Sequence, residues 1–68
     1  MNVTYWFEVI GEDSELCGEA FFVEVNSEED SPLDTAWDIA VENFPDEELT
    51  CLGRVSEKFA ELLGYDTY

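Results

Sequence analysis

Carboxylates carry the chemistry this chain offers. Asp34, Asp38 and Glu42 recur every fourth residue inside a stretch, 31–44, that reads as a helix, and no Lys or Arg stands near any of them. Glu28, Glu29 and Asp30 precede that stretch, and Glu47 and Glu48 follow it. Residues four apart on a helix are separated along its axis by about 6 Å. Phosphates along one nucleic-acid strand have a similar spacing, so the row forms a short ladder of phosphate-like charge. Like charges four apart on a helix repel by a few tenths of a kcal/mol per pair. The ladder therefore costs the helix stability and calls for a reason outside it.

Other uses of these residue types fit less well. A glycosidase-type pair needs a cleft that sets two carboxylates apart in acidity, and a chain this short has few residues to spare for one. A nucleophilic cysteine needs a general base or a cationic neighbour. Cys17 and Cys51 have neither, because the chain has no His and its surroundings are acidic. They read as small strand residues, and without His or a C-x-x-C pair the usual zinc ligand set is missing. Calcium wants several oxygens at fixed offsets. Loops 11–15, 27–31 and 46–48 are acidic but lack that spacing. No Gly-rich loop follows a strand to cradle phosphate. The expectation is a chain with no catalytic residue, no metal site and no cofactor.

The charge balance narrows the partner. Among 68 residues there are 18 acids and two bases, a net charge of −16. Residues 1–53 hold 15 of the acids and no base; Arg54 and Lys58 stand together near the end. Direct DNA or RNA binding needs the opposite sign. A halophile's solvation surface is one account, but twelve Glu against six Asp, with ten aromatics, argue against it. A basic protein surface, of the kind that binds nucleic acid, is the partner these charges fit. Such a partner gains charge-assisted hydrogen bonds and steered association. Trp6 or Phe22, if exposed, would anchor the contact, and Glu8 and Glu24 would form a second patch on the sheet.

The elements that must position these groups follow from periodicity. Residues 2–10 alternate as a strand, with Val3, Tyr5, Phe7 and Val9 inward and Thr4, Trp6, Glu8 and Ile10 outward. Residues 11–15 read as a hairpin loop. Cys17 to Asn26 reads as the second strand, with Phe21, Val23 and Val25 inward and Phe22 and Glu24 outward; a bulge turning Phe22 inward is the alternative. Leu33, Ala36, Trp37, Ala40, Val41 and Phe44 make one helical stripe. Ser31 offers an N-cap, Pro32 suits the first turn, and Asp34 can close a capping box. Asp34 and Asp30 also sit at the positive end of the helix dipole, so Asp38 and Glu42 are the acids that local structure leaves unexplained. Pro45 ends the helix.

A third strand follows over Leu49–Val55, with Leu49, Cys51 and Val55 alternating against Thr50, Leu52 and Arg54. Ser56 caps a short helix with the stripe Phe59, Leu62 and Leu63, closed by Gly64. The tail 65–68 packs through its rings or frays. The order β-β-α-β-α predicts a single α+β domain over 1–68 in two layers. Its three-stranded antiparallel sheet runs 2-1-3, with the main helix on one face and the short C-terminal helix closing an end or edge. The N-terminus has no basic, apolar leader pattern and no run reaches membrane-spanning length. The expected location is the cytoplasm, with no membrane partner and reduced thiols.

In size, acidity and element order the whole chain resembles the phage and mobile-element inhibitors that mimic DNA, and most of all the small acidic anti-CRISPR proteins. That resemblance rests on no shared motif, so it assigns no residue a role. It implies a stoichiometric, non-enzymatic inhibitor that occupies the DNA-binding groove of a Cas effector subunit. In type I systems it implies the Cascade complex, with recognition of the protospacer-adjacent motif (PAM) blocked. Related readings are inhibition of a restriction enzyme, a DNA glycosylase or a nucleoid protein. An immunity protein or antitoxin plugging a nuclease, or a calcium-binding module, are readings of another class.

Overall fold

Alternating apolar residues and a run of helical period produce five elements. The computed structural model describes residues 1–68. They are β1 (Asn2–Val9), β2 (Ala20–Asn26), α1 (Pro32–Asn43), β3 (Leu49–Val55) and α2 (Glu57–Leu63). The strands form one antiparallel sheet in the order β2-β1-β3, the expected α+β topology. No helix is long and apolar enough to cross a membrane.

β1 is the central strand and supplies both faces. Val3, Phe7 and Val9 are buried on one side with Phe21, Val23 and Val25 of β2, and α1 lays Ala36 and Ala40 onto them. Both alanines are wholly buried, which lets the helix backbone approach the sheet closely. Phe7 stacks on Phe21, ring centroids 5.6 Å apart, and Trp37 meets Phe7 edge-on at 4.9 Å. The helix is rotated from its expected stripe: Ile39 packs against the core, while Leu33 and Val41 are 41% and 49% exposed. Ala36 and Ala40 take the centre of the buried face, and that turns Val41 outward beside the acids.

The opposite face is not open. Phe22, expected on an outer face, is 0% exposed. No bulge is involved, since β1 and β2 pair without a break from Asn2–Asn26 to Glu8–Ala20. α2 covers this side instead, its Phe59 ring 5.3 Å from Trp6, and Tyr65 lies 5.5 Å from Phe22. α2 thus makes a third, thin layer rather than closing an edge. Trp6 is half-buried, and its buried Nε1 finds no acceptor.

The tail packs rather than frays. It runs parallel to β2, with Thr67 bridged to Phe22. Phe22 N–H donates to the Asp66 carbonyl at 2.8 Å, Tyr68 N–H to the Phe22 carbonyl at 2.9 Å, and Glu24 N–H to the Tyr68 carbonyl at 3.0 Å. The outer edge of β2 is thereby closed, whereas the outer edge of β3 pairs with nothing.

Four local expectations are corrected. β2 begins at Ala20, not Cys17, because residues 11–19 fold into successive turns: Ser14 N–H donates to the Gly11 carbonyl, Cys17 N–H to the Ser14 carbonyl, and Gly18 adopts φ 93°. Cys17 is consequently exposed in a loop. Ser31 precedes α1 but its hydroxyl accepts no capping bond, so Asp34 closes no capping box. In β3 the register slips between Trp6 and Phe7, so Cys51 opposes Phe7 while Gly53 opposes Trp6. The extra residue is Leu52, and Gly53 takes φ 117° to accommodate it. Beyond such a bulge the strand's faces exchange. Val55 therefore stands opposite Thr4, and Arg54 opposite Tyr5 on the α1 side. The cap of α2 forms as expected: Ser56 Oγ accepts from Phe59 N–H at 3.1 Å, and Gly64 closes the helix at φ 67°.

Candidate partner-binding surface

α1 positions the ladder. With Ala36 and Ala40 held against the sheet, Asp34, Asp38 and Glu42 fall on the solvent side, and all three are exposed. Successive members rise about 6 Å along the helix. Glu28, Glu29 and Asp30 are exposed in the turn that leads into α1. Beyond its other end Glu48 is exposed and Glu47 half-buried. The eight acids thus follow one another along the length of the helix and past both of its ends.

Nothing inside the molecule answers these charges. Of the chain's 18 acidic side chains only the Glu24 carboxylate accepts a hydrogen bond, from Asn2 Nδ2 at 2.6 Å. The first-turn position of Asp34 gives it a local use at the helix dipole. Asp38 lies mid-helix and Glu42 in the last turn, where negative charge opposes the dipole and no base is present.

The structure adds acids that the linear pattern did not join. Ile10 N–H donates to the Glu48 carbonyl at 2.8 Å, which ties the hairpin loop to the turn after α1. Between them lies an open depression of about 740 Å³ lined by Glu12, Asp13, Glu15, Asp46, Glu47 and Glu48. Both segments are visibly acidic in the sequence; their meeting depends on the pairing of β1 with β3, which no local signal carries. No group of three or more carboxylates or thiols is placed to hold a metal ion.

Two other expectations change. Phe22 is buried and Trp6 is packed against Phe59, so neither ring anchors a partner. Val41, exposed among the acids of α1, is the apolar side chain this surface offers. Glu8 and Glu24 form no single patch. Glu8 opposes Ala20 and Glu24 opposes Thr4, which separates them by about 13 Å of strand.

The surface is a convex, negatively charged helix with acidic loops at both ends. Neither family models, curated proteins nor solved structures give a match to this chain.

Proposed function

We propose that this chain is a non-enzymatic, stoichiometric inhibitor. It presents α1 to a basic nucleic-acid-binding groove in place of DNA. The target we assign is the PAM-reading or backbone-binding surface of a type I CRISPR effector, a Cascade subunit, in the cytoplasm of a bacterial host. The observation that carries this reading is the exposed ladder Asp34, Asp38 and Glu42, continued by acids at both helix ends and answered by no base within the fold.

The physical argument is one of surplus. A small domain gains nothing by crowding like charges on one helix. A partner carrying Lys and Arg at phosphate spacing recovers that cost through charge-assisted hydrogen bonds. Val41, exposed between Asp38 and Glu42, excludes water from part of the contact.

Competition tests it. Purified chain is titrated against an effector complex bound to fluorescent target DNA carrying the PAM. Displacement at one chain per site, lost in Asp38→Lys/Glu42→Lys, is the expected result. Undiminished displacement by that variant, or inhibition indifferent to salt, overturns the proposal.

A further inference from the structure

We infer that β3 is the pairing edge for a second copy of this chain, giving a two-fold dimer with a continuous six-stranded sheet. The two outer edges of the monomer sheet are treated differently. β2 is covered by the tail through three backbone hydrogen bonds, whereas β3 carries no cover of any kind. None of the residues of β3 is fully buried, because α1 lies over β1 and β2. Ile10 N–H donates to the Glu48 carbonyl. By the alternation of an antiparallel ladder, the backbone groups of Leu49 and Cys51 then face outward with no partner. An unpaired edge of this kind is a template for another strand.

Charge selects the occupant. Turn 46–48, at one end of β3, carries Asp46, Glu47 and Glu48; the other end carries Arg54 and, just beyond, Lys58, the only bases in the molecule. A two-fold axis makes a strand meet its own opposite end. Leu52 takes up one residue of the count and leaves Arg54 on the α1 side, opposite Tyr5. If Leu49 pairs with Cys51 of the second copy, Arg54 comes opposite the second copy's Glu47, which has the same parity as Leu49. That register brings base to acid, twice by symmetry. The edge is thus complementary to itself, and it keeps the ladder on α1 free. A basic strand from another protein would meet Arg54 and Lys58 as like charges, so a second copy fits better. This inference does not depend on the proposed inhibitory role.

Sedimentation velocity on the purified chain tests it, at about 0.3 M NaCl so that the net charges are screened. A concentration-dependent dimer is expected. Arg54→Glu should weaken it at least tenfold. Adding Glu47→Arg to that variant restores the original net charge and should recover the dimer. Cys51→Pro removes an outward N–H donor, and should give a folded monomer by circular dichroism. If it does not fold, the charge pair decides alone. A chain that is monomeric at every concentration overturns the inference, as does a dimer unaffected by Arg54→Glu. So does a monomer that loses its protein target on Cys51→Pro, which would assign the edge to that target.

Discussion

Tyr68 stands edge-on to Phe21, ring centroids 5.5 Å apart and planes at 89°. It meets Phe44 in the same manner, at 5.5 Å and 84°. One C-terminal ring therefore bridges β2 and the end of α1, while Tyr65, three residues earlier, covers Phe22 on the other face. Removing residues 65–68 uncovers both sides of β2 together with its edge. Urea denaturation should show a loss of roughly 2–4 kcal/mol from the exposed rings. An unchanged midpoint would show that the tail contributes no stability.

Asp34 and Asp38 should separate by position. Asp34 lies in the first turn of α1, where a carboxylate favours the helix. Asp34→Lys is expected to lower stability by about 0.3–1 kcal/mol. Asp38→Lys relieves repulsion from two neighbours and should raise it by a few tenths. Thermal melts of the two single variants compare them directly. Against a basic target, Asp38→Lys with Glu42→Lys should weaken binding tenfold or more, mostly through slower association.

Salt should act in opposite directions on the free chain and on its target complex. The net charge is −16 and no base lies within residues 1–53, so screening reduces self-repulsion. Raising NaCl to about 0.5 M should increase Tm for the free chain. The same change should weaken capture by a basic groove. Differential scanning calorimetry and a binding titration over one salt series check both signs.

Gly53 sits at φ 117° with open space where a Cβ would project. Gly53→Ala therefore meets strain without a clash. A cost of about 1–3 kcal/mol is expected from the backbone alone. Ala40→Leu should cost a similar amount for a different reason, since Ala40 is wholly buried between helix and sheet. Chemical denaturation of the two variants measures these costs. Gly53→Ala should also disturb the β3 edge, and Ala40→Leu should not.

The elements were legible because their signals are strong and well punctuated. Alternation runs unbroken through β1, Pro45 stops α1, and Ser56 and Gly64 bracket α2. The exposed ladder was legible for the same reason, since helical period alone opposes it to Ala36 and Ala40. The late start of β2 and the absent Ser31 cap are local misses; the others depend on partners distant in sequence. Parity placed Phe22 opposite Phe21 but could not say that Tyr65 and the tail would cover it. The bulge in β3 leaves only Gly53 as its mark, which alternation does not register, yet it moves Val55 off the α1 side. The acidic depression exists only because Ile10 reaches Glu48.

Trp6 and Trp37 lie on opposite sides of the sheet, the first against Phe59 of α2 and the second against Phe7 beneath α1. The molecule thus carries one intrinsic fluorophore in each helical layer. Trp37 precedes Asp38 on the helix and is only half-buried, so its emission should report docking of a target. Trp6, screened by the sheet, should stay silent in that event and change only when the domain unfolds. With Trp37 replaced by Phe, or Trp6 by Phe, the chain reports recognition and folding as separate optical signals, without a label.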